Sequence, residues 1–213
     1  MPPRFLLDGP KSAPRTILLA HGAGAPMDSP SMVAIVRALA DAGLRVARFE
    51  FGYMARRRDA GTRTPPPRSE ALVPELQVAI AELDAAGPLI IGGKSMGGRV
   101  ASMIADELHH SGAIVGLLCL GYPFHPQGKP ERLRTAHLGT LQTPTLICQG
   151  TRDPLGSRDE VAGYVLSKQI EMLWLKDGDH DLKPRKGMTG LTAADHLKTI
   201  SEVVRQWAGQ LGP

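Results

Sequence analysis

Six residues constrain this chain more than any others: Gly93-Lys94-Ser95-Met96-Gly97-Gly98, set directly after the apolar run Leu89-Ile90-Ile91 and ahead of helical spacing that begins near Met96. Glycines two positions before and two positions after a serine let neighbouring backbone pass close on both sides. The segment therefore reads as a buried strand, a tight turn with Ser95 strained at its tip, and a helix. A competing reading is set aside by Pro88. Gly92-Gly93-Lys94-Ser95 looks like the end of a phosphate-binding loop, but G-x-x-x-x-G-K-[ST] needs glycine at position 88, and the residues from Pro88 to Ile91 have the character of a buried strand.

Strands and helices alternate on either side of this turn. Thr16 to Ala20 is a short apolar run ending in His21-Gly22-Ala23-Gly24, a strand entering a loop. Ser29-Pro30 opens a helix through Met32, Val33, Ile35, Val36 and Leu39, which Gly43 stops before a strand from Leu44 to Phe51. Gly52 to Ser69, with its arginines and Pro65-Pro66-Pro67, reads as a mobile surface loop. Helical spacing returns from Glu70 to Ala85, with a firm start only after Pro74. Further helices are expected at Met96 to His109, Arg158 to Ser167 and Leu191 to Leu211, and strands at Ala113 to Leu120, Thr145 to Gln149 and Glu171 to Leu175. Apolar strands separated by helices predict an α/β fold with a mostly parallel sheet of six or seven strands and helices on both faces. No repeat or linker divides the chain, so residues 1–213 are expected to form one domain. Only Gly121 to Thr143 is free to carry an insertion, too little for a cap domain.

At 213 residues a compact fold buries roughly 70% of the surface its extended chain would expose, so no covalent staple is needed. Cys119 and Cys148 sit in apolar stretches without metal-ligand spacing and are expected to be reduced core residues; no metal or cofactor is implied. The amino terminus has no apolar targeting segment, and the longest apolar run is far short of the ~18 residues a membrane span needs, which points to the cytoplasm and away from membranes. A net charge of +4 gathers in Arg56-Arg57-Arg58 with Arg63 and Arg68, and in Lys183 with Arg185 and Lys186. These clusters read either as solvated loop charge or as a positive rim drawing anionic substrates. Few aromatic residues accompany them, so no stacking platform for nucleic acid is expected.

A serine hydroxyl becomes a strong nucleophile only when a histidine takes its proton, and the histidine needs an acid to orient it. Asp153 lies beyond a strand in Gln149-Gly150-Thr151-Arg152-Asp153-Pro154, and His180 beyond the last strand in Gly178-Asp179-His180. Ser95, Asp153 and His180 thus follow in the chain order of one hydrolase architecture. Asp177, Asp179 and Asp181 are rival acids but lie too near His180 in sequence to reach its ring from the far side. Backbone N–H donors for an oxyanion are expected from Met96 together with either Ala23 or Gly24. His21 reads as a structural hydrogen-bonder of that loop. His109, His110, His137 and His196 are expected to be solvated, while Glu50, Tyr53 and His125 are candidates to line a substrate pocket.

These residues resemble the α/β-hydrolase superfamily. Across most of the chain the likeness is to a small hydrolase-like subgroup that includes a testis-expressed protein and a subunit of a histone-acetyltransferase complex. The matching segments are Leu19 to Asp28, Arg48-Phe49-Glu50-Phe51, Gly93 to Arg99 and Gly178 to Lys186. The resemblance implies kinship with dienelactone-hydrolase-like enzymes, whose nucleophile is commonly cysteine where this chain has Ser95. The function expected is that of a serine hydrolase cleaving ester or thioester bonds of small acyl substrates. The alternative is a catalytically silent binding or scaffold protein, since the subgroup includes scaffold-like members. Oligomeric state is left open.

Overall fold

A computed structural model describes residues 3–61, 65–85 and 87–212. Four strands in it are buried at every residue: β2 (Thr16–Ala20), β4 (Leu89–Lys94), β5 (Gly116–Leu120) and β6 (Thr145–Gly150). Their continuous apolar character follows from being covered on both faces. They join β1 (Phe5–Asp8), β3 (Arg45–Phe49) and β7 (Ile170–Leu175) in a seven-stranded sheet of order β1-β3-β2-β4-β5-β6-β7. Only β1 runs antiparallel, pairing Phe5 with Phe49 and Asp8 with Val46. β4 occupies the middle of the sheet, so the residue that follows it, Ser95, emerges at the centre of one edge.

Alternate residues of each strand feed two cores. Leu18, Ile91, Leu117 and Ile147 face α3 (Val73–Glu82) and α4 (Met96–Ser102), packing with Leu76, Val100 and Ala101. Ile17, Leu19, Ile90 and Leu118 face α1 (Pro30–Asp41) and α8 (Ala193–Gln210), packing with Ile35, Val36, Ile200, Val204 and Trp207. Pro30 stands in the first turn of α1, and Thr192 with Asp195 forms a capping box on α8, both as their sequence signals require. Between β5 and β6 lies only a turn of 3₁₀ helix at Ala136–Gly139, so no separate cap domain covers Ser95.

Several boundaries differ from expectation. Gly52 to Ser69 is no continuous loop: Gly52–Ala60 forms a helix, α2, closed by Gly61 in the left-handed conformation at φ +65°. Arginine is a good helix former, and α2 buries Tyr53 and Met54 while Arg56 and Arg58 stay outside. Arg63 falls outside the described residues. A 3₁₀ turn, Ser69–Leu72, precedes α3. The helix expected from Met96 to His109 breaks after Ser102, whose hydroxyl donates back to the Arg99 carbonyl at 2.7 Å, and resumes as α5 (Ala105–His110). The helix expected at Arg158 to Ser167 is one capped turn, α6 (Arg158–Val161). A further short turn, α7 (Lys186–Thr189), precedes α8. Cys119 and Cys148 are both free and buried. Among the described residues no helix is long and apolar enough to cross a membrane.

Candidate active site

Ser95 sits between β4 and α4 at φ 52° and ψ −113°, a backbone conformation that side chains other than hydrogen rarely adopt. The turn closes so tightly that a Cβ on Gly97 would fall onto the Ala20 carbonyl, and one on Gly98 would come within 2.8 Å of the Gly93 carbonyl. The serine amide is held by the Leu120 carbonyl at 3.0 Å. Strain in the backbone is thus offset by a bond to β5, and it thrusts the hydroxyl above the sheet.

The three residues read from the sequence meet there. His180 Nε2 lies 2.8 Å from Ser95 Oγ, and His180 Nδ1 lies 2.8 Å from Asp153 Oδ2. Asp153 is fully buried and its carboxylate accepts two further bonds, from Gln149 Nε2 at 3.0 Å and from the Leu155 amide at 2.8 Å. Gln149 is itself locked, its oxygen accepting from the Tyr122 amide at 2.7 Å and its nitrogen donating to the Tyr122 and Gly156 carbonyls. Nδ1 therefore carries the proton given to Asp153, and Nε2 presents its lone pair to the serine hydroxyl. Of the rival acids, Asp177 bonds Arg185 and Asp179 lies 3.4 Å from Arg152.

A cavity of about 290 Å³ opens over Ser95. Its walls are the loop Gly22 to Ala25, Ser29, Ser31 and Met32 at the start of α1, and Lys94, His180 and Asp181. Two side chains fix the loop from behind. His21, fully buried, places Nδ1 2.7 Å from the Gly22 carbonyl and accepts the Phe51 amide on Nε2 at 3.1 Å. Burial holds its pKa below the ordinary histidine value, so the ring is a neutral structural bonder, as expected. Tyr53 donates its hydroxyl to the Ala23 carbonyl at 3.0 Å. In a trans peptide N–H and C=O point opposite ways, so the Ala23 and Gly24 amides are turned away from these two anchors. Met96 opens α4, and its N–H is among those a helix leaves without an internal partner.

The candidate pocket residues are placed differently. Tyr53 is buried behind the loop rather than on the cavity wall, and burial pushes its phenol up to about 12. Glu50 accepts from Arg58 at 2.8 Å and the Met27 amide at 3.4 Å, and faces a separate, larger cavity with Phe49, Arg58, Glu75 and Val78 that does not touch Ser95. His125 is buried with Nδ1 on the Pro126 carbonyl and Nε2 3.5 Å from Glu160. Strand-end position located these residues on the right edge of the sheet without saying which way each side chain turns. Among the histidines expected in solvent, only His110 is exposed: His196 is buried with Nδ1 on the Leu182 carbonyl at 2.8 Å, and His109 and His137 are half-buried with partners. His196 shares a helix face with Ile200 and Val204, a periodicity that marks it as inward-facing. The basic clusters are partly neutralised, Arg58 by Asp28 and Glu50 and Arg185 by Asp177. Sequence reading missed Gln149, which bonds Asp153 four residues on as well as Tyr122, and Lys94, whose Nζ reaches the His180 carbonyl far along the chain.

Fold and site together define the α/β-hydrolase class. A family model described as "Alpha/beta hydrolase domain" matches residues 13–209, and the chain belongs to this family. Among curated relatives it is similar to ABHD14B of Rattus norvegicus, a candidate protein-lysine deacylase, at 25% identity over 145 residues. That match covers 67% of this chain and 63% of the relative, so the chain spans less than two thirds of the relative's length. Among solved structures it is similar in fold to a dienelactone hydrolase from Anabaena variabilis, with TM-score 0.72 and 19% identity over the whole of both chains. Est1E from Butyrivibrio proteoclasticus, solved with ferulic acid, gives TM-score 0.68 and 15% identity over 98% of this chain and 94% of that one. XC6422 from Xanthomonas campestris, described as a serine hydrolase without lid, gives 0.65 and 18% over 95% and 88%.

Proposed function

We propose that this protein is a serine hydrolase that cleaves ester or thioester bonds of small acyl substrates, working as one domain. The observation that carries the reading is the unbroken chain from Ser95 Oγ to His180 to buried Asp153, with both links at 2.8 Å. In the first half-reaction His180 Nε2 takes the Ser95 proton as Oγ attacks the acyl carbon, and Asp153 stabilises the imidazolium. The tetrahedral oxyanion is met by the Met96 amide and by that of Ala23 or Gly24, oriented beforehand by His21 and Tyr53. His180 then protonates the leaving group, and water, activated by the same nitrogen, releases the acid. The modest cavity favours a small acyl portion, and the open edge above the sheet suits a free small-molecule substrate rather than nucleic acid or membrane.

A scaffold that had lost its chemistry would not need three separate donors converging on Asp153 or a serine held at positive φ. The test is hydrolysis of 4-nitrophenyl butyrate and labelling by a fluorophosphonate. Ser95→Ala is expected to lose labelling and at least about a thousandfold in kcat, because serine and histidine act as a unit. Equal rates and equal labelling in the two proteins would establish the silent-scaffold alternative instead.

A further inference from the structure

Lys94, the residue immediately before Ser95, is the one charged side chain at the end of an otherwise apolar strand, and it is 7% exposed. Its Nζ donates to the backbone carbonyl of His180 at 2.6 Å and lies 3.5 Å from Asp181 Oδ1. The turn that carries His180 needs such a tether. It belongs to no helix or strand, and Asp177 and Leu182 within it adopt φ of 58° and 63° without being glycine. The lysine is bonded covalently to the serine and grips the histidine's backbone, so backbone, ammonium, imidazole and hydroxyl close a ring. Any shift of the turn away from Ser95 must first break the Lys94 bond.

Gly121 leaves room for this bond. At φ +65°, a Cβ on it would fall 2.8 Å from the His180 carbonyl oxygen and 3.3 Å from Nζ, the two atoms the bond joins, with His180 Cε1 in ordinary contact at 3.6 Å. We propose that Lys94 is a positioning residue of this site: it fixes the backbone of His180 against the nucleophile strand and so holds the imidazole on the Ser95 hydroxyl. The inference rests on the serine-hydrolase reading above and adds to it a residue that the Ser-His-Asp arrangement does not include.

Burial lowers the proton affinity of Lys94 itself, while Asp181, Asp153 and Asp179 oppose that loss, so the ammonium is held in place by the acids it faces.

The test measures kcat and KM for 4-nitrophenyl butyrate in the wild-type protein, Lys94→Met and Lys94→Arg, with thermal melting as the check of folding. For Lys94→Met, kcat is expected to fall about tenfold or more with KM changed less than about threefold, as displacement of a catalytic base predicts. Lys94→Arg keeps a charged donor beside the His180 carbonyl and should recover part of kcat. Should the methionine variant not fold, Lys94→Gln, whose shorter side chain cannot span to the His180 carbonyl as lysine does, must show the same fall in kcat at nearly constant KM. A kcat within about twofold of wild type in a folded Lys94→Met or Lys94→Gln, or a loss confined to KM, overturns the proposal. Wild-type turnover no faster than that of Ser95→Ala overturns the hydrolase reading and this inference with it, whereas normal wild-type turnover with kcat unchanged in the Lys94 variants overturns only the role given to Lys94.

Discussion

The two walls of the Ser95 cavity are built on different physics. The loop from His21 to Met27 is fastened from behind by buried side chains: His21 on the Gly22 carbonyl, Tyr53 on the Ala23 carbonyl, and Arg48 on the Met27 carbonyl at 3.1 Å. The turn from Asp177 to Arg185, held inside by Lys94 on the His180 carbonyl and His196 on the Leu182 carbonyl, is fastened on its outer face by ion pairs, with Arg152 across to Asp177 and Asp179, and Arg185 folded onto Asp177. Buried bonds in a low-dielectric interior respond little to salt but leave costly orphans when one partner is removed. Exposed ion pairs can lose a partner at little cost but weaken as counterions screen them. On the proposed reading one wall carries the oxyanion donors and the other the base, so the site joins a rigid half to a tunable one.

The largest break in this comparison is expected from His21→Leu, which strips the Phe51 amide and the Gly22 carbonyl of their partners. Chemical denaturation should show a loss of about 3 kcal/mol, two buried groups left unsatisfied. Removal of the equivalent amount from the other wall is not expected from any single ionic partner on its outer face.

Acid separates the walls in the opposite order to salt. The folded pKa of His21 lies below its unfolded value of 6.5, so its neutral form contributes fully above that pH and the contribution declines as pH falls below it, because the unfolded chain takes up the proton first. Asp177 is held down to about 2 by Arg185, so its contribution persists above the unfolded value of 3.8 and is lost only as pH falls through that value toward 2. Unfolding free energy should therefore fall by up to about 1 kcal/mol per pH unit below 6.5 in the wild type, a slope that His21→Leu removes. A slope unchanged in that variant would show that another group dominates the titration.

A smaller effect is expected from Tyr53→Phe, which frees the Ala23 carbonyl. The expected cost is about 1 kcal/mol in stability, and kcat should fall severalfold at constant KM, because the oxyanion donors lose orientation rather than contact. Smallest is Arg152→Met: about 0.5–1 kcal/mol in low salt, shrinking toward zero at about 1 M sodium chloride, where screening is nearly complete. A Tyr53→Phe penalty that shrank with salt in the same way would erase the distinction between the walls.

The sequence is legible where burial leaves a periodic or compositional trace. Continuous apolar runs located β2, β4, β5 and β6, and the glycine-flanked serine placed Ser95 at their edge with His180 and Asp153 in reach. The rest is hidden for specific reasons. α2 turns only Tyr53 and Met54 inward, too narrow a stripe to stand out among its arginines. β1 is four residues at a sheet edge, held in part by Arg48 bonding Asp8 at 2.7 Å, a partnership forty residues apart. Gln149 and Lys94 look like ordinary polar ends of strands. Their meaning arises only when Asp153 and the His180 carbonyl are brought beside them. The direction of Glu50, Tyr53 and His125 depended on rotations after the strand that no spacing encodes.

The positive φ of Ser95 carries a last consequence, which concerns what the fold gives up. A non-glycine residue in that region raises the energy of the native state by about 1–3 kcal/mol, a sizeable part of the stability a domain of this length possesses. Glycine would occupy the turn without that penalty, so Ser95→Gly is the substitution that relaxes the molecule while removing the proposed nucleophile. Selection for durability alone would move this position toward glycine, and the serine therefore marks a compromise in which the protein is less robust than its own scaffold allows.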